Sequence, residues 1–215
     1  GDKDPFALRR HALGVIRMLV EKDLALDVSA LVQSAVPAFG DRVTDASAAL
    51  VDFMFERLAG SLREQGYSAQ EVESVLALRP QRLGDVAKRL AAVRAFAALP
   101  ESPALAAANK RISNILKKTD DVDAHVSPVL LQEAAEKALY AAMQTVLPQA
   151  QSQWEAGDYT ASLQSLAALR APVDAFFEDV MVNAEALDLR LNRLGLLKSL
   201  HLAMNRVADL SKLAA

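Results

Sequence analysis

The sequence predicts an all-α protein, a multi-helix bundle of about ten helices, on three observations. Hydrophobic residues make up 52% of the 215 positions but aromatic ones only 5%, the balance of Ala/Leu-rich helix packing rather than of sheets. Apolar residues recur every three to four positions in one segment after another. Glycine and proline number only eight each, and Gly66, Pro80 and Pro100 stand where apolar periodicity stops.

The elements follow in order. Leu8, Ala12, Val15, Ile16 and Leu19 predict a helix over Phe6 to Val20, behind an Asp4-Pro5 pair suited to a helix N-terminus. Asp27 to Val36 is a shorter helix stopped near Pro37, followed by a loop around Gly40. Asp45 to Gln65 repeats Leu50, Phe53, Met54, Leu58 and Leu62 and ends at Gly66, a C-terminal stop. Ser68-Ala69-Gln70-Glu71 has the spacing of a capping box and opens Val72 to Leu78. Leu83 to Leu99 ends at Pro100, and Pro103 begins the first turn of a further helix. Thr119 to Pro128 is polar and acidic and is expected as the longest loop. Glu133 to Val146, Tyr159 to Leu169, Val173 to Asn183 and Leu187 to Leu213 complete the set, with breaks at Pro148, Gly157-Asp158 and Ala171-Pro172. The expected division is a helical support region over 1–100 and a working bundle over 101–215.

Composition excludes several classes. There is no cysteine, which rules out disulfides and thiolate metal sites and favours a reducing, cytoplasmic setting. No apolar stretch approaches the roughly 20 residues that span a bilayer. The opening Gly1-Asp2-Lys3-Asp4-Pro5 has no signal-peptide pattern and no initiator Met, so a piece of a longer chain is expected. His11, His125 and His201 lack companions at metal-ligand spacing and are read as incidental. No phosphate-binding glycine loop, nucleophile elbow or carboxylate pair beside a His occurs, so no chemistry is expected of this chain itself.

A net charge of −3 argues against a general polyanion binder, so any nucleic-acid site must be local. The run Ala107 to Lys118 supplies one. On a helix Arg111, Asn114 and Lys118 share a face at i, i+3 and i+7, while Ile112, Ile115 and Leu116 lie toward another. Guanidinium and carboxamide groups make paired hydrogen bonds to base edges, which nominates Asn109, Arg111 and Asn114. Lys110, Lys117 and Lys118 add attraction to phosphate, as do Arg190 and Arg193, three apart on the last helix. The alternative for both runs is a solvated basic face.

Two other segments stand out. Pro172 to Asn183 sets Phe176 and Phe177 beside Asp174, Glu178 and Asp179, which reads as core plus a solvated rim whose acids orient neighbouring basic residues. Trp154 to Tyr159 with Ala161, Leu163, Leu166 and Leu169 is similar to half a tetratricopeptide unit. It occurs once, so a solenoid is disfavoured, while a helical protein-interaction scaffold stays open.

Three motifs occur in one order: Gly1 to Arg10, Ala107 to Leu116, and Pro172 to Val182 leading to Arg190-Leu-Asn-Arg-Leu194 and Arg206-Val-Ala-Asp-Leu-Ser211. Together they resemble the C-terminal third of the beta subunit of bacterial glycyl-tRNA synthetases, across essentially the whole chain. The resemblance implies an all-helical anticodon-binding domain similar to that of arginyl-tRNA synthetases. There Ala108 to Ile115 matches the motif Ala-His-Ala-Arg-Ile-x-Ser-Ile, and Arg111 is the residue carried over. It implies tRNA(Gly) and an alpha subunit as partners in an α2β2 tetramer, without DNA or membrane. ATP, Mg and the glycylation chemistry would belong to the alpha subunit, leaving no cofactor on this chain. The rival implication is a non-catalytic scaffold docking the alpha subunit or the rest of beta. An HD-type hydrolase region lies upstream in that family, and Phe6 to Val20 is expected as its last piece. Met181-Val182-Asn183-Ala184 departs from the family pattern, so Asn183 receives no role.

Overall fold

A computed structural model describes residues 4, 6–119 and 121–214. Ten α-helices and four short 3-10 segments form among them, with no strand. The all-α expectation holds. The chain divides into two compact units, residues 1–90 and 91–215, somewhat ahead of the expected division near Glu101. The division falls inside a helix, α5 (Asp85–Ala97).

In the first unit α3 (Ser47–Glu64) is the common packing partner of α1 (Leu8–Glu21), α2 (Val28–Ala35) and α4 (Ala69–Leu76). Its stripe of Val51, Met54, Phe55, Leu58 and Leu62 is buried, each large side chain contributing about 1.5–3 kcal/mol. The caps are those the sequence announces. Asp4 accepts hydrogen bonds from the backbone N–H of Leu8 and Arg9 at 2.8 and 3.1 Å. Ser68 and Glu71 close both bonds of the capping box, at 3.1 and 2.7 Å. Gly66 takes φ 93°, the left-handed residue that ends α3.

The second unit is built around α7 (Ala134–Glu155) and α10 (Leu187–Met204). Against α7 lie α8 (Tyr159–Ser165), η3 (Leu166–Leu169), α9 (Arg170–Asp179) and α10. The helix α6 (Ser102–Leu116) packs on α9, α10 and η4 (Leu210–Leu213). Six consecutive residues of α10, Asn192 to Leu197, are buried, so its middle is covered on every side and shows no clean polar stripe.

Three expected boundaries are corrected here. Pro148 does not break the helix: α7 runs through it to Glu155. The missing N–H and the crowding against the carbonyl of Gln144 cost about 3 kcal/mol. Burial of Met143, Val146 and Ala150 on the packed face offsets this, while Pro148 itself is exposed. Next, the helix expected over Val173 to Asn183 begins at Arg170 and stops at Asp179. Pro172 sits in its first turn, where no N–H is needed. Beyond Asp179 the carbonyls of Met181 and Ala184 accept from Arg193 and Arg190, at 2.7 and 3.5 Å, which replaces helical bonding. Finally, α10 ends at Met204 rather than Leu213. The Asn205 side chain donates to the carbonyl of His201 at 2.7 Å and accepts from the N–H of Leu210 at 3.1 Å, closing the helix and shaping the turn into η4.

The Trp154 segment forms the turn of a single α7–α8 hairpin. Gly157 has φ 80°, Asp158 caps Ala161 at 3.0 Å, and Ser162 donates to the carbonyl of Ala150 at 2.7 Å.

Candidate nucleic-acid interface

The site is the outward side of α6. Its inward side is fixed by Leu105, Ala106 and Ile112 in the core and by two polar links to the end of α10. Asn109 and Asn205 exchange amide hydrogen bonds at 2.7 and 3.0 Å, and Ser113 Oγ lies 2.9 Å from His201 Nε2. Both links use residues four apart on each helix, so they fix the rotation of α6 about its own axis. Burial holds the His201 imidazole below its ordinary range; Lys198 and Lys117 push the same way and Asp209 opposes them. His201 is therefore part of the helix attachment rather than incidental.

With that rotation set, Lys110, Arg111 and Asn114 are exposed on the opposite side. They line, with Ala107, Ile115 and Lys118, a groove of about 430 Å³. Lys117 and Lys118 are exposed just past the last turn, where the negative end of the helix dipole favours cations. The Arg111 guanidinium carbon stands 4.3 Å from the centroid of the Phe177 ring on α9, a cation–π contact. Phe177 itself meets the fully buried Phe176 edge-on, centroids 5.5 Å apart at 81°.

Two of the nominated residues are elsewhere. Asn109 has 0% exposure, and its amide is engaged with Asn205 inside the bundle, so it offers nothing to an external base. Arg193 has 5% exposure. Its Nε donates to Glu136 on α7 at 2.8 Å and its Nη1 to the carbonyl of Met181 at 2.7 Å, which uses the guanidinium fork before any phosphate can reach it. Both expectations are corrected by burial. Arg190 is half-buried beside the carbonyl of Ala184, and neither it nor Arg193 lines the α6 groove. The two basic runs therefore do not converge there.

Of the acids around Phe176, Asp174 pairs within its own helix, with Arg170 one turn earlier at 3.5 Å. The carboxylate that orients a buried arginine is Glu136, which sequence reasoning missed. Its one signal was an acid at a position apolar by helical period, between Ala135 and Leu139. Phe177 reads as core in the sequence, and nothing in its own segment marks it as the support of an arginine 66 positions earlier. Among the described residues no group of three or more His, Asp or Glu side chains could hold a metal ion, and no helix is long and apolar enough to cross a membrane.

An exposed arginine over an aromatic ring, on a helix with an amide and lysines beside it, offers donors and positive charge of the kind that phosphates and base edges accept. Residues 105–212 match the family model described as DALR anticodon binding domain, which gives the class. Residues 1–77 match that of the glycyl-tRNA synthetase beta subunit. The whole chain is 77% identical to the glycine–tRNA ligase beta subunit of Polaromonas naphthalenivorans and 75% identical to that of Paracidovorax citrulli, covering 30% of each. The same comparison with Janthinobacterium sp. (strain Marseille) gives 63% identity and 31% coverage. The chain belongs to the glycyl-tRNA synthetase beta subunit family and carries its DALR domain. It spans under a third of the length of these relatives.

Proposed function

We propose that this chain grips the anticodon end of a glycine tRNA, as part of a glycine–tRNA ligase whose ATP-dependent glycylation takes place on another subunit. The observation that supports this reading is the outward face of α6, where Arg111 rests on Phe177 inside a DALR domain. An anticodon is a single-stranded loop whose unstacked bases expose their edges. Arg111 and Asn114 are the base-facing groups, and Lys110, Lys117 and Lys118 carry the attraction to phosphate. An alpha subunit in an α2β2 assembly supplies the glycine, ATP and Mg sites and the chemistry in this reading. The residues here contribute affinity and selectivity at a distance, in the cytoplasm.

The test is a titration of the full-length protein with tRNA(Gly) and with an anticodon-swapped tRNA, for wild type and Arg111→Ala. The variant is expected to lose roughly 1–3 kcal/mol on the cognate tRNA and to bind the two tRNAs with similar affinity. Equal losses on both tRNAs would remove the base-reading role. Wild-type binding insensitive to tRNA altogether would leave a docking scaffold.

A further inference from the structure

We infer that Phe177 is a positioning residue for anticodon selectivity: its ring holds the Arg111 guanidinium in the orientation that meets a base. This rests on the reading above that Arg111 faces the tRNA. An exposed arginine on a helix samples many rotamers, and ordering it on binding costs affinity. Here the guanidinium carbon is already 4.3 Å from the Phe177 centroid, attracted by the electron-rich face of the ring. Phe177 is half-buried, so one side of the ring is held by the bundle while another stays available to the arginine. Its own tilt is fixed by the edge-on contact at 81° with Phe176, which has 0% exposure.

A line of contacts therefore runs from the core through Phe176 and Phe177 to Arg111 and out to the groove shared with Asn114 and Lys118. A guanidinium that lies parallel to a ring keeps its in-plane N–H groups for paired acceptors on a base. A phenyl ring has no hydrogen-bonding group of its own to offer a base edge. Its effect passes entirely through Arg111.

The experiment uses the full-length protein in its assembled ligase and compares the ratio of cognate to anticodon-swapped tRNA affinity in wild type, Phe177→Leu, Phe177→Tyr, Arg111→Ala and the Arg111→Ala/Phe177→Leu double variant. Phe177→Leu, which fills the space without a ring, is expected to lower the ratio roughly three- to tenfold, while Phe177→Tyr stays within about twofold of wild type. The double variant should match Arg111→Ala alone, because a residue acting through Arg111 has nothing left to act on. If Phe177→Leu does not fold, Phe177→Met carries the same expectation. An unchanged ratio in Phe177→Leu, with a lowered one in Arg111→Ala, overturns the positioning role and leaves the anticodon reading intact. A uniform loss for all tRNAs, tracking a lower unfolding midpoint, also overturns it by reducing Phe177 to packing. An unchanged ratio in Arg111→Ala removes the anticodon reading itself.

Discussion

Glu136 and Arg193, 57 residues apart, meet inside the second unit with 0% and 5% exposure and form a buried ion pair. The same arginine holds the carbonyl of Met181, so one side chain ties α10 to both α7 and the irregular segment after α9. An arginine that reads in sequence as half of a surface phosphate clamp is instead an internal strut.

Removing one partner leaves a charge stranded in the core. Arg193→Ala is expected to destabilise the protein by about 3–5 kcal/mol in urea unfolding. Replacing both partners, Glu136→Leu with Arg193→Met, should cost less than either single change. A stable, fully folded Arg193→Ala with reduced tRNA affinity would restore the phosphate role.

Asn109→Ala should lower stability by about 1–3 kcal/mol, because it removes the two amide hydrogen bonds that tie α6 to Asn205 and empties a fully buried site. Once folded, the variant should show the wild-type dependence of tRNA affinity on salt. A flatter salt dependence would contradict the interior role.

Lys118→Ala should weaken cognate and swapped tRNAs alike and reduce the slope of log affinity against log salt by roughly 1. A selective loss on one tRNA would instead put Lys118 on a base.

Gly195 on α10 lies under the loop of residues 121–127, and a Cβ there would collide with the backbone carbonyl of His125. The loop is held from both sides: Ser199 donates to the carbonyl of Ala124 at 2.6 Å, and Asn192 exchanges bonds with Ser127 at 2.7 and 3.1 Å. Gly195→Ala is therefore expected to lift the loop, costing about 1–3 kcal/mol and accelerating amide exchange in 121–127. Unaltered exchange there would show that the helix shifts instead.

The depressed imidazole of His201 gives stability a pH dependence of fixed sign. The unfolded chain binds the proton more readily than the folded one, so stability is full above the ordinary value of 6.5 and declines as pH falls below it. The urea midpoint of wild type should drop between pH 7.5 and pH 5.5 more than that of His201→Gln. Equal drops would assign the effect to other groups.

The sequence makes much of the helical architecture legible, because its signals are local. The Ser68–Glu71 box, the Gly66 stop and the break at Gly157-Asp158 each act within four residues and appear where expected. Expectations failed where a distant partner overrode the local signal. Packing carried α7 through Pro148, and two arginines of α10 took over the carbonyls that would have extended α9. At the site, helical phase separates Arg111, Asn114 and Lys118 from Ile112 correctly. It also places Asn109 and Ser113 on the opposite side, yet an amide's chemistry suggested base reading more strongly than phase argued for burial. Nothing within one segment announces that Asn109 needs Asn205 or that Arg111 needs Phe177.

The amide exchange between Asn109 and Asn205 also sets a timetable for synthesis. A ribosome adds about 5–20 residues per second, so α6 emerges several seconds before the residues that fix its rotation. In the interval its apolar side has no α10 or η4 to cover it. The lysine-bearing helix consequently becomes oriented late in the birth of this unit, once His201, Asn205 and η4 have closed over it.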